Sequence, residues 1–109
     1  MQRMGMVLGV KPDKVEEYKR LHRAVWPEIL ALLSEHHITN YSIFLKEPEN
    51  LLFGYWEYMG SDYEADARAI AENPINKEWW DVCMPCQQPL EHRKPGEWWA
   101  MMDSVFYLR

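Results

Sequence analysis

A chain of 109 residues has room for one domain of ordinary size and no second. Hydrophobic residues make up 48%, with six Trp, six Tyr and three Phe, so a real core can form. A formal net charge of −5 argues against binding a phosphate backbone, which needs clustered Lys and Arg. No window reaches the roughly 20 apolar residues of a membrane span, and no signal peptide is visible, so the expected location is the cytoplasm.

The first element is a strand over Arg3 to Val10. Met4, Met6, Leu8 and Val10 alternate with Arg3, Gly5, Val7 and Gly9. Gly5 and Gly9 leave space on the second face for a close neighbour or a ligand. Lys11-Pro12-Asp13 then starts a helix, with Pro early and acids in the first turn. It runs from Asp13 to His36 and breaks near Pro27, whose missing N–H removes one helical hydrogen bond. His36-His37 reads as a solvated helix end, since adjacent helix positions do not face one another as metal ligands would.

Ile38 to Leu45 is the second strand, with Tyr41, Ile43 and Leu45 on one face and Ser42 and Phe44 on the other. A polar loop, Lys46 to Asn50, joins it to a third strand over Leu51 to Tyr58, forming an antiparallel hairpin. Ser61-Asp62-Tyr63-Glu64 reads as a capping box opening the second helix, through Ala71. Asn73-Pro74 starts another helix that carries Trp79-Trp80 and ends between Cys83 and Pro85. Cys83-Met84-Pro85-Cys86 lies at the wrong end of the helix dipole to stabilise a thiolate, and no second Cys pair completes a zinc site. These thiols read as structural. Gln87 to Glu97 is an irregular crossing loop. A last strand spans Trp98 to Leu108 and is clearest in Val105-Phe106-Tyr107-Leu108.

The order strand, helix, strand, strand, helix, strand is the ferredoxin-like α+β arrangement, an antiparallel sheet with helices on one face. The strands nevertheless carry apolar residues on both faces. A monomer would expose a large apolar patch. The expected assembly is a homodimer packed sheet on sheet, a dimeric α+β barrel.

One stripe differs from an ordinary core helix. At about 100° per residue, Tyr18, His22 and Trp26 fall one turn apart. Tyr41 and Trp79-Trp80 can meet that stripe between sheet and helices, giving a pocket of phenols, indoles and one imidazole. Such a lining suits a sugar: indoles cover the C–H faces of the ring, and Tyr hydroxyls bond its rim. His22 can give and take a proton near neutral pH. Glu17 and Glu28 are carboxylates nearby in sequence. There is no Gly-rich phosphate loop and no Ser/His/Asp set, and no motif calls for a metal or cofactor.

The chain resembles the L-rhamnose mutarotase family. The resemblance rests on Glu17-Tyr18, His22, Val25-Trp26-Pro27-Glu28, Asn40-Tyr41-Ser42-Ile43, Asn50-Leu51-Leu52-Phe53 with Glu57, Trp79-Trp80 and Val105-Phe106-Tyr107-Leu108, in the family's order across nearly the whole chain. It implies a dimeric α+β barrel. It also implies His22 as proton donor, Tyr18, Tyr41, Trp79 and Trp80 as sugar-binding residues, and Trp26 as packing beside Pro27. The implied reaction exchanges the α and β anomers of L-rhamnose without metal or cofactor. The Gln87–Trp99 segment is longer and richer in Trp than the family pattern. A mutarotase for another deoxysugar such as L-fucose, a non-catalytic sugar-binding module and a cofactor-free oxygenase are the alternative readings.

Overall fold

A computed structural model describes every residue from Met1 to Arg109. Five strands and four helices follow in the order β1 (Gln2–Val10), α1 (Val15–His22), α2 (Pro27–Glu35), β2 (Ile38–Lys46), β3 (Leu51–Tyr58), α3 (Tyr63–Glu72), α4 (Pro74–Cys83), β4 (Gln87–Gln88) and β5 (Ala100–Met102). The architecture is the expected α+β one. The sheet order is β2-β3-β1-β4, with β5 also on β1, and every pairing is antiparallel.

The alternation in β1 sets the two faces. Met6, Leu8 and Val10 are buried beneath the helices with Leu52 of β3. Leu8, Val10, Leu21, Ile29, Leu52 and Trp79 belong to one core cluster, each side chain contributing about 1.5–3 kcal/mol by leaving water. On the reverse face, Val7, Phe53 and Phe44 stand side by side in register. Phe44 is 67% exposed and Phe53 37% exposed, so this face is only partly covered within one chain.

Gly9 has a concrete reason to be Gly. A Cβ there would lie 2.5 Å from the carbonyl oxygen of Gln88, its partner on β4. The close neighbour expected on this face is therefore backbone. That short strand falls where the sequence reads as an irregular loop.

The first helical region differs from one broken helix. A 3-10 turn over Pro12–Lys14 leads into α1, which stops at His22, and α2 restarts at Pro27. Trp26 precedes the proline and takes an extended conformation (φ −59°, ψ 133°), since the proline ring excludes the helical one. His22 is thus the last residue of α1.

Two boundaries are corrected. The cap of α3 is Asp62, whose side chain accepts from the Ala65 N–H at 3.2 Å, in place of Ser61. The Asp62 N–H donates to the Tyr58 hydroxyl at 3.1 Å, which ties the helix start one residue later. Asn73 does cap α4, accepting from the N–H groups of Ile75 and Asn76. The last strand covers only Ala100–Met102, and Val105 to Leu108 are exposed and outside any strand. With Gly5 opposite Met102, a continued register would place Val105 beside Gln2 and run later residues past the start of β1. The tail instead lays the Tyr107 ring against the Arg3 guanidinium, 3.3 Å from the ring centroid.

His36 and His37 do more than end a helix in solvent. Both direct Nδ1 at Asp66 of α3, at 2.8 and 3.2 Å, and the Tyr58 hydroxyl donates to the same carboxylate. Those bonds, Tyr58 first and His36 next, hold Asp66 down to about 2. Cys83 and Cys86 are free and buried. Burial pushes the Cys83 thiol up to about 12 and raises Cys86 too, so both pack as small apolar groups.

Candidate active site

The helices do not close completely on the sheet. A cleft of about 610 Å³ opens between α1, α2 and β2, within the size range of small-ligand sites. His22, Ile29, Leu33, Tyr41, Ile43 and Trp79 form much of its wall. A smaller cavity of about 170 Å³ adjoins it across Tyr41 and Trp79, bounded by Trp56, Tyr63, Trp80 and Trp99.

His22 is positioned by its own helix. Its Nδ1 lies 3.0 Å from the carbonyl oxygen of Tyr18, one turn back. A carbonyl only accepts, so Nδ1 carries the proton, and Nε2 is left with a free lone pair in the neutral ring. Burial lowers the pKa of His22, and the bond to Tyr18 opposes the shift only in part. The imidazole is therefore neutral at pH 7. It stacks on the Tyr18 ring (centroids 4.1 Å apart, 23° between planes) and meets the edge of Trp79 at 5.5 Å.

Tyr18 lies under His22, only 5% exposed, and is absent from the wall of the large cleft. It borders a separate depression of about 270 Å³, which His22, Ile43 and Leu52 also line. Its hydroxyl is buried with no well-formed hydrogen bond, Gln87 being the side chain nearest to supplying one; burial pushes its pKa well up and the Gln87 contact opposes this only in part, so it stays a neutral phenol. The nearby Gln87 side chain accepts from Trp98 Nε1 at 2.8 Å. Trp26 packs edge-on against Trp79 at 5.1 Å, beside the proline, and takes no place in the cleft.

Tyr41 reaches the cleft on the same face of β2 as Ile43, and an irregularity beside it adds Ile38 to that face. Thr39 pairs with Glu57 and Ser42 with Tyr55, so Asn40 and Tyr41 together face one residue of β3. This bulge lets Ile38, Tyr41 and Ile43 all line the cleft, which strict alternation would forbid. Asn40 takes the left-handed conformation (φ 48°), which Asn tolerates best among residues with a side chain. Its amide donates to Glu57 Oε1 at 2.7 Å, and Tyr55 donates to Glu57 Oε2 at 2.8 Å. Tyr41 then packs at right angles to Trp56, 4.9 Å between centroids. Part of the residue, 37%, is exposed, but loss of water around its hydroxyl raises its pKa, so it too remains protonated.

The tryptophan pair divides. Trp79 is 6% exposed and serves core and cleft together, while Trp80 is 40% exposed and lines only the smaller cavity. Neither Glu17 nor Glu28 joins them. Glu17 is ion-paired to Arg20 on the outside of α1, Glu28 is exposed, and the cleft wall contains no carboxylate. Sequence reasoning missed Trp56, Tyr63 and Asn76; in the sequence Trp98-Trp99 competes with Trp79-Trp80 for the stacking role, and Trp99 does border the smaller cavity. Asn76 was discoverable, standing one helical turn before Trp79 and Trp80 on the same face of α4.

An α+β half-barrel with an aromatic cleft and one neutral histidine defines a small-molecule site with proton-transfer chemistry and a lining suited to a sugar. The family model described as L-rhamnose mutarotase matches residues 3–108, and the chain belongs to that family of anomer-exchanging isomerases. An L-rhamnose mutarotase from Oceanobacillus iheyensis is 42% identical over 108 residues, 99% of each chain. The crystal structure of an L-rhamnose mutarotase from Formosa agariphila superposes with a TM-score of 0.80, at 28% identity and full coverage of both chains. Tetracenomycin F2 cyclase from Streptomyces glaucescens shares the fold alone, with a TM-score of 0.68 and 16% identity, covering 100% of this chain and 97% of its own.

Proposed function

We propose that the protein interconverts the α and β anomers of L-rhamnose, with His22 as the proton-transfer group. One observation carries the assignment: His22 is the only side chain on the cleft wall that exchanges a proton near neutral pH, and its free nitrogen is Nε2. In ring opening, Nε2 takes the proton of the anomeric hydroxyl. The C1–O5 bond breaks as the C1=O1 bond forms, and the same proton passes to O5. Rotation about C1–C2 and the reverse sequence on the other carbonyl face give the second anomer. One imidazole serves both oxygens because both are bonded to C1. It donates to the ring oxygen, as the family resemblance implies, after it has accepted. Tyr18 fixes the tautomer through its carbonyl. Tyr41, Trp79 and Trp80 hold the sugar, and no metal or cofactor takes part.

The homodimer belongs to the same proposal. The exposed Phe44 and Phe53 and the apolar tail from Val105 to Leu108 support sheet-on-sheet pairing of two copies. No helix is long and apolar enough to cross a membrane.

Anomer exchange measured by saturation-transfer NMR on L-rhamnose tests the reading. His22→Ala is expected to lose about 10²–10⁴ of the acceleration, as removal of a general acid–base group does, while keeping its circular dichroism. Exchange by that folded variant at near the unaltered rate refutes it.

A further inference from the structure

Only two buried side-chain polar atoms lack a partner in this protein, the Tyr18 hydroxyl and Asn76 Nδ2. The first lies against His22. The second lies elsewhere and has no part in the proton transfer. Asn76 is 2% exposed, and it is the one amide among the twelve residues that line the smaller cavity, the rest being aliphatic or aromatic with the hydroxyls of Tyr41 and Tyr63 and the indole N–H groups as their polar atoms. A buried amide N–H without a partner is destabilising unless something bonds to it. No backbone or side chain of this chain does so.

The placement says what can. Asn76 stands one helical turn, about 5.4 Å along the axis at most, from Trp79, whose ring edge meets His22. A ring with its anomeric carbon at His22 would extend across Trp79 toward Asn76. Trp80 and Trp99 flank the amide with apolar surface suited to C–H groups. We infer that Asn76 is a specificity-determining residue, its carboxamide bonding a hydroxyl on the C3–C4 edge of the sugar, remote from the anomeric carbon. Either orientation of the amide serves, since a hydroxyl both donates and accepts. The bond also suits the chemistry. C1 must turn during the reaction while C3 to C6 stay put, so anchoring the remote edge keeps the open chain in place for closure. This inference rests on reading the cleft as the sugar site.

Two measurements test it. In the unaltered protein, saturation with L-rhamnose is expected to shift the side-chain amide resonances of Asn76. In the second, anomer exchange is compared for L-rhamnose and its 3-deoxy and 4-deoxy analogues, in the unaltered protein and in Asn76→Leu, a near-isosteric change that removes the unpaired polar group. The variant is expected to lose on the order of tenfold to hundredfold in kcat/KM toward L-rhamnose. One analogue should show the same loss with the unaltered protein, and Asn76→Leu should no longer distinguish that analogue from L-rhamnose. Full activity in the variant, an equal loss on all three sugars, or unmoved Asn76 resonances at saturation would overturn the inference. Any of these with normal exchange by the unaltered protein leaves the mutarotase reading intact. Shifted Asn76 resonances without any exchange would support the subsite and overturn the catalytic reading instead.

Discussion

The Nδ1–H of His22 donates to the carbonyl oxygen of Tyr18 at 3.0 Å, across one turn of α1. That bond leaves Nε2 with the free lone pair, and burial keeps the ring unprotonated at neutral pH. The sign of the pH dependence follows. If neutral imidazole starts the reaction, the rate is level above the ordinary histidine value of 6.5 and falls only as pH drops through the lowered pKa of the folded protein. If imidazolium started it, the rate would fall as pH rose. Initial rates of anomer exchange between pH 4 and pH 9 are therefore expected to fall by about tenfold per pH unit on the acid side alone.

Trp79 and Trp80 are adjacent in sequence yet do different work. Trp79→Ala removes a buried indole that packs against Trp26 and His22, and should cost about 3–5 kcal/mol of stability in urea titrations. The family resemblance implies sugar binding for both, whereas helix spacing, about 100° between neighbours, lets one be core while the other faces the pocket. Trp80→Ala should leave the urea midpoint nearly unchanged and weaken sugar binding by roughly 1 kcal/mol, about fivefold in KM.

Glu57 is tied to the cleft wall through Asn40. Its carboxylate receives the Asn40 amide and the Tyr55 hydroxyl, and these bonds hold the bulge that sets Tyr41 beside Ile38 at the cleft. Glu57→Ala should raise KM by about tenfold, the worth of one charge-assisted hydrogen bond, and leave the pH profile of kcat in place. A shift of that profile would mean that Glu57 acts on His22 directly.

The open face of the sheet carries the assembly prediction. Phe53 lies between Val7 and Phe44 in register, only partly covered by its own chain. Phe53→Lys places a charge at the centre of the proposed two-fold interface. Light scattering coupled to gel filtration should report a fall from twice the chain mass to once. A protein that is monomeric before the change would defeat the dimer proposal.

Much of this was legible because it is local. Alternation over Arg3–Val10 and Leu51–Tyr58 marked β1 and β3, Asn73-Pro74 marked the start of α4, and the order of elements led to the α+β fold. The residue types at Tyr18, His22, Tyr41 and Trp79-Trp80 announced an aromatic site with one titratable group. Periodicity and capping depend on neighbours within a turn or two, and a sequence displays those directly. What remained depended on partners far along the chain. The Asp62 cap follows from Tyr58, the bulge under Tyr41 from Glu57, and the pairing at Gly9 from Gln88. The tail expected to form a strand finds no strand edge within its own chain. Which Trp is core, which carboxylates stay outside the cleft and which amide is left unpaired within it are decided by packing between elements, and no local pattern encodes that.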